Sequence, residues 1–423
     1  MGQSTKAHMA NACQELGVAE LLGIGLWGDG VPCKFDRSES LEVLTMNIPG
    51  VSTAKDLRVP VTVINKKFVV KALTFDSIFA VLAWSFSVLA SGVMPYHDHL
   101  GMPFIGKRSK YAGKPVLRSV LCEFRGDWAW YKQCFRFPQH NENRGICWRC
   151  SCTPSEIRQV GSDARWRSQK LSHWQLLQRM FEQGLPPSPL FGAPCFRSSA
   201  VLIDWLHAAD QGILLHFLAS LFKHILGKLG GSNAKEQCKS LWLELQLYYR
   251  ANPCSSRLDN LTLSMLGKNN KPPKLRARAA EARLLMPFAV ELARKYLSSA
   301  NGFEDTMLNC TLHFQECYNN LSPAAFSAQS LREHSRKFAI LYVALETLAC
   351  DKQKWHVTPK LHLFQELCEE TCSCPSLTWT YRDEDMGGTM MQLDRHRGGS
   401  NNITASATST LHRFIAKNRM PAL

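Results

Sequence analysis

Four groups of side chains in this sequence have the types and spacing to do chemistry. The first is a set of carboxylates far apart in the chain: Asp29 in GIGLWGDGVPC, Asp127 in EFRGDWAWYKQCF, and Asp383, Glu384 and Asp385 in TWTYRDEDMGG. Carboxylate oxygens are the ligands that hard divalent cations take. Two such ions about 3.5 to 4 Å apart activate an attacking oxygen and stabilise a leaving one in phosphoryl transfer. Taken singly, each acid has a plainer explanation. Asp29 reads as a turn aspartate ahead of a proline, and the triplet as charges favoured at a helix N-terminus.

The second group is Cys147 and Cys150, a CxxC in GICWRCSC with Cys152 two residues on. This spacing lets two sulfurs reach one structural zinc ion, which then needs two further ligands; His140, Cys134 and Cys152 are the candidates. A redox CxxC needs a thioredoxin-like βαβ setting that is missing here, and unligated cysteines are the remaining reading. The third group is Asp204 and His207, a D-x-x-H on one helix face. It reads either as a metal- or phosphate-positioning pair or as a cap and a satisfied core histidine. Lys360 and His362 in PKLHLF are open in the same way, and His97 and His99 in PYHDHLG are read most simply as a polar loop. The fourth group is the stretch KNNKPPKLRARAAEAR, with Lys268, Lys271, Lys274, Arg276, Arg278 and Arg283 around two prolines. It reads as a phosphate-binding loop for DNA or as a solvated one. Trp128, Trp130, Trp148 and Trp166 read as core first and as stacking platforms for bases second.

These groups need elements to position them. Residues 21–28 are an apolar run that reads as a strand stopping at Asp29, with 41–48, 59–64 and 115–124 as further strands. An uncharged run over 77–94 largely coincides with a helix expected at 75–92, between the third and fourth strands. It is near the lower limit for crossing a bilayer, but four serines, a glycine and the lack of a flanking interfacial belt favour a helix packed on a sheet. The order is β-β-β-α-β. Beyond residue 150 helical spacing dominates, at 203–229, 239–250, 282–297 and 334–350, and the tail GGSNNITASATST reads as loose ahead of a short amphipathic end.

Composition sets the class of partner. The chain has 423 residues, and its 50 Lys and Arg exceed 35 Asp and Glu to give a net charge of +15, which favours an anionic partner such as nucleic acid or an acidic membrane. Sixteen cysteines spread along a chain without a basic-then-apolar start read as reduced and intracellular.

With GDGVP at Asp29, G-D at Asp127, the CxxC closely behind it, D-x-x-H, and an acid ahead of glycine late in the chain, the sequence resembles the DDE/D cut-and-paste DNA transposases of the CACTA-like and Kyakuja-Dileera-Zisupton-like group. The resemblance implies an α/β plus α fold, a ribonuclease-H-like mixed sheet interrupted by a mostly helical insertion. Residues 1–200 would form the first part of the core with the CxxC, 201–374 the insertion, and 375–423 the returning core helix and tail. It further implies Asp29, Asp127 and Glu384 as the metal-binding triad for Mg²⁺ or Mn²⁺, with Asp204 as the alternative second acid and Asp204 and His207 otherwise in support. Water would cleave the element end and the freed 3′-OH would attack target DNA. The implied setting is nuclear or otherwise intracellular, on transposon ends and target DNA rather than a membrane, as a homo-oligomer assembled on DNA. Such proteins carry a DNA-binding domain ahead of the core, and only about twenty residues precede the first strand here, which points to a truncated or decayed copy. A catalytically inactive, transposon-derived DNA-binding or scaffold protein is the alternative.

Overall fold

The computed structural model describes residues 2–33, 39–50, 58–138, 145–267, 271–349, 354–395 and 403–418. His140 and Lys268 lie outside them. Helix α1 (Gln3–Leu16) precedes a four-stranded mixed sheet of order β3-β2-β1-β4. Strand β1 (Leu22–Pro32) pairs antiparallel with β2 (Ser40–Asn47), which pairs antiparallel with β3 (Val59–Asn65). Helix α2 (Leu73–Ser91) carries the chain across to β4 (Ser119–Gly126), which lies parallel to β1 from Leu22↔Ser119 to Gly28↔Gly126. The mixed sheet expected from the β-β-β-α-β order is therefore present.

Side-chain alternation assigns each residue of β1 and β2 to a face. Leu26 and Leu44 join Phe75 and Phe79 of α2, Phe124 and Trp130 on one side. Trp27, Val43 and Val63 face the other side, where they meet Met386, Met390 and Phe414 from the end of the chain. Asp29, two residues beyond Trp27, shares its parity and points toward that second layer. By length and composition α2 is apolar enough to cross a membrane. It packs on β4 through a face that buries Phe75, Phe79, Phe86 and Ala90.

The first strand does not stop at Asp29. It continues to Pro32, with Asp29 opposite Val43 and Pro32 opposite Ser40. Pairing to β4 ends at Gly28↔Gly126, so beyond that point β1 is an edge on one side and tolerates a proline. The fourth strand also reaches two residues further than expected, which puts Asp127 directly at its end. The two strands meet closely there: a Cβ on Gly126 would stand 2.7 Å from the Gly28 carbonyl oxygen.

The largely helical region that follows begins with α3 (Trp128–Phe135), the short α4 (Arg165–Ser168) and α5 (His173–Glu182). The expected helix at 203–229 divides into a π-helical segment, Leu206–Ile213, and α6 (Leu214–Leu226), because Gly212 takes non-helical angles (φ −95°, ψ −106°). Then come α7 (Ala234–Ala251), α8 (Ala279–Leu284) and α9 (Met286–Tyr296), the last two divided ahead of Pro287 where one helix was expected. Helices α10 (Gly302–Asn319), α11 (Ala328–Leu348) and α12 (Pro359–Glu370) complete an aromatic core in which Phe314 stacks on Phe338 with ring centroids 3.9 Å apart. Helix α13 (Tyr381–Arg395) then packs on β1 and β2, and α14 (Ile403–Lys417) on β3. Part of the tail expected to be loose is thus helical, since Phe414 joins the core under Val43.

The close approach of β1 and β4 generates a prediction. Gly126→Ala forces its methyl against backbone that cannot give way, and should destabilise the protein by about 1–3 kcal/mol. Gly230→Ala, whose Cβ would meet nothing within 4 Å, is the control; urea unfolding of the two variants makes the comparison.

Candidate active site and buried metal-binding cluster

Asp29, His207 and Glu384 converge from three separate elements, β1, the π segment and the first turn of α13. One ligand atom from each lies within 4.8 Å of the others, a grouping able to hold a metal ion. Asp29 Oδ1 accepts the Gly30 amide at 2.7 Å. Glu384 Oε1 is buried without a hydrogen-bond partner and stands 3.5 Å from His207 Nε2. An orphaned carboxylate oxygen beside a second carboxylate fits a hard divalent cation.

Two buried aspartates of one stretch place Glu384. Asp204 accepts from the Thr380 amide at 3.0 Å and the Thr380 hydroxyl at 2.9 Å, and also from the His207 amide at 3.0 Å. Its Oδ2 lies 2.8 Å from His207 Nδ1, which turns Nε2 toward the acids. Asp210 accepts from the Tyr381 hydroxyl at 2.6 Å, the Tyr318 hydroxyl at 2.7 Å and Trp205 Nε1 at 3.2 Å. Thr380 and Tyr381 lead directly into the turn that carries Glu384. Asp204 is thus a positioning residue, and His207 is the member of the D-x-x-H that enters the cluster. Nothing in the sequence singled out Asp210.

Asp127 stands beside the cluster but outside the grouping of three. It follows Gly126, the partner of Gly28, and caps α3 by accepting the Trp130 amide at 2.5 Å. The acidic triplet separates cleanly. Asp383 is fully buried in ion pairs with Arg58 Nε (2.5 Å) and Arg125 Nη1 (3.3 Å), Asp385 is exposed, and Glu384 alone faces Asp29.

The local charges set the protonation. Burial raises the Asp29 carboxyl well above the usual range, and repulsion from Glu384 and Asp127 adds to it, with His207 opposing. Burial also raises Glu384, opposed by His207. Burial disfavours the charged form of His207, but the Asp204 bond and the charges of Asp204, Glu384 and Asp29 outweigh it and lift the imidazole to about 9.

A second cluster, fully buried, comprises Cys147, Cys150, His362 and Glu366 and could hold a metal ion. Cys150 Sγ lies 3.4 Å from His362 Nε2, and Glu366 Oε1 3.6 Å from the same nitrogen. Lys170 pairs with the other side of Glu366. His362 Nδ1 and Glu366 Oε1 have no hydrogen-bond partner. Burial opposes the Cys147 thiolate, yet bonds from Cys150 and His362 hold its thiol well below the usual range. Burial opposes the His362 imidazolium, and the cysteines raise it to about 10. Burial and the charge of Cys147 push Glu366 up to about 7. Of the partners expected for the CxxC, Cys152 also acts on His362, Cys134 is buried in α3 outside the grouping, and His140 lies outside the described residues. His97 and His99 fall on the loop before β4 and join no metal-ligating group among the described residues. Glu366 escaped notice, although H-x-x-x-E within one helix puts both side chains on one face.

Helix α12 joins the two clusters. His362 and Glu366 meet the cysteines, while Lys360 Nζ donates to the His207 carbonyl at 2.9 Å. The basic stretch divides three ways. Lys271, Lys274 and Arg276 line a cavity of about 740 Å³. Arg278 sits at the N-cap position of α8, its amide donating to Glu281 and its side chain largely in solvent. Arg283 stacks over the rings of Trp379 and Tyr381, at 4.7 and 4.8 Å from their centroids. The four tryptophans expected in the core, Trp128, Trp130, Trp148 and Trp166, are all buried.

Two outcomes follow from the electrostatics. Asp204→Asn removes the charge that holds the His207 proton, so the His207 pKa should fall from about 9 toward the ordinary ~6.5, as followed by NMR titration of the imidazole. Asp29 has a raised folded-state pKa, so its ionisation costs stability as pH rises from the unfolded value through the folded one, and that cost is complete above it. Asp29→Asn removes the cost and should raise the metal-free Tm by about 2 °C near neutral pH in a calorimetric scan. Compared with known proteins, the chain matches no family model and no curated protein, so the reading of both clusters rests on their own geometry.

Proposed function

We propose that this chain is a transposase-type polynucleotidyl transferase with a ribonuclease-H-like core, cleaving DNA and transferring the strand with the help of divalent metal. The observation that carries the reading is the meeting of Asp29 with Glu384. The first sits on a central strand, the second on a helix that returns to the sheet after the whole helical region, and Asp127 stands at the end of the adjacent parallel strand. Asp29, Glu384 and Asp127 are the residues that would hold Mg²⁺ or Mn²⁺, which when bound activates the attacking oxygen and stabilises the leaving one. The chain's own residues do the rest. Asp204 and Asp210 fix α13, His207 holds a proton at Nε2 facing Glu384 Oε1, and the cations around Lys274 neutralise phosphates. The attacking groups are water and then the DNA 3′-OH, so no protein nucleophile is needed.

The second cluster suits structural zinc, with Cys147 and Cys150 as thiolates, His362 as the imidazole and Glu366 as the carboxylate. DNA is the partner this reading assigns, with element ends and target brought together by a homo-oligomer inside the nucleus or another intracellular compartment. One observation favours the second reading, an inactive DNA-binding or scaffold protein descended from such an element: the Asp127 carboxylate is already engaged as a helix cap.

Nicking of supercoiled plasmid in Mg²⁺ or Mn²⁺ decides between the two. Asp29→Asn and Glu384→Gln should each cut the rate by about a thousandfold; nicking that survives Asp29→Asn would contradict the catalytic reading. Metal affinity should rise with pH, because protons held by Asp29, Glu384 and His207 must leave first. Calorimetric Mn²⁺ titrations on either side of neutral pH check that sign. Elemental analysis should find one zinc per chain, lost with a lowered Tm in Cys147→Ser.

A further inference from the structure

The cavity beside the acidic cluster has an unusual lining. Lys271, Lys274, Arg276 and Lys360 face it together with His216 and His356, and among the described residues no aspartate or glutamate contributes to its wall. Lys271, Lys274 and Arg276 are exposed, and none is paired with a carboxylate among the described residues. Several unneutralised cations around one hollow constitute a site for a polyanion. The rest of the wall mixes Pro272 and Pro359 with the polar Gln211, Ser264 and Thr358, and the largely buried Trp128 borders it.

This hollow shares a wall with the metal-binding acids. Trp128 follows Asp127 in the chain. Gln211 and Gly212 belong to the same π segment as His207, and a Cβ on Gly212 would stand 3.3 Å from Lys360 Cβ. Lys360 itself reaches the His207 carbonyl. The hollow is thus built from the same segments that carry Asp127 and His207.

Size determines the form of that strand. About 740 Å³ lies within the ~300–1,000 Å³ of pockets that enclose a small ligand. A duplex, whose major groove alone is about 12 Å wide, does not fit. Cations for phosphates, with flat prolines and the polar Gln211, Ser264 and Thr358 within reach of base faces and edges, are components by which proteins hold single strands.

We propose that this cavity receives the DNA strand next to the cleavage point as unpaired, unstacked nucleotides, so that the protein selects ends that are frayed or forked over fully paired duplex. The inference rests on the nucleic-acid-cutting reading of the adjacent acids, and it adds the strand form and the residues that choose it.

Fluorescence anisotropy with the full chain tests it, using a forked duplex with a few unpaired nucleotides and the blunt duplex of the same sequence. Wild-type protein should bind the fork about tenfold more tightly. Lys274→Glu and Lys271→Glu, both at exposed positions, should remove most of that preference while changing blunt-duplex affinity much less. Equal affinity for fork and blunt duplex, or parallel loss of both in the variants, would overturn the proposal. A thymidine dinucleotide should compete for the fork at concentrations where inorganic phosphate does not; equal competition by phosphate would reduce the cavity to a simple anion site and also overturn it. The fork preference should persist in Asp29→Asn. If the wild type shows that preference but no nicking, the catalytic reading fails and the single-strand cavity stands; if it nicks DNA without the preference, the cavity proposal fails and the catalytic reading stands.

Discussion

The buried carboxylate of Asp204 decides where the third acid of the site stands. It accepts both hydrogen bonds that Thr380 can offer and two more from His207, so the start of α13 and the imidazole are fixed to the same oxygens. A buried, charged acceptor left unsatisfied costs several kcal/mol, and that penalty locks the arrangement. Glu384 then comes to Asp29 although its charge disfavours the Asp29 carboxylate. Burial holds both carboxyls above their ordinary range, as is common at functional sites.

A similar logic links the second cluster to the first. Cys147, Cys150, His362 and Glu366 fix one face of α12, and Lys360 on the same helix reaches the carbonyl of His207. The π segment between these contacts carries His207 toward the acids and Gly212 toward the basic cavity. Gly212 makes this possible, since a side chain there would meet the His207 carbonyl at 2.9 Å. A short irregular stretch of helix therefore serves the acids, the cavity and the packing of α13 together, as π-helical segments at functional sites often do.

Much of this was legible in the sequence. Apolar runs, alternation and β-branching located all four strands, and Asp29, Asp127, the acidic triplet, the CxxC and the D-x-x-H could each be named from local pattern, with Glu384 separated from its triplet only by the family resemblance. Their partnerships could not. The CxxC takes His362 and Glu366 from a helix far along the chain, and no spacing rule links such distant segments. Asp383 and Glu384 are neighbours in sequence with opposite fates, one in an ion pair with Arg58 and Arg125 and the other in the site, because helical geometry turns them by roughly 100°. Asp210 was invisible because its role depends on Tyr318 and Tyr381, which only tertiary packing brings near. The division of the basic stretch into cavity lining, cap and ring-stacking cation has the same origin.

The central claim is that Asp29 and Glu384 form a divalent-metal site at the edge of the sheet. A crystal soaked in Mn²⁺, with anomalous scattering recorded at the manganese edge, tests it most directly. The account predicts a manganese peak bridging the Asp29 and Glu384 carboxylates, within ligand distance of Asp127 or His207. Asp29 and Glu384 found apart, with no manganese between them at saturating concentration, would contradict it.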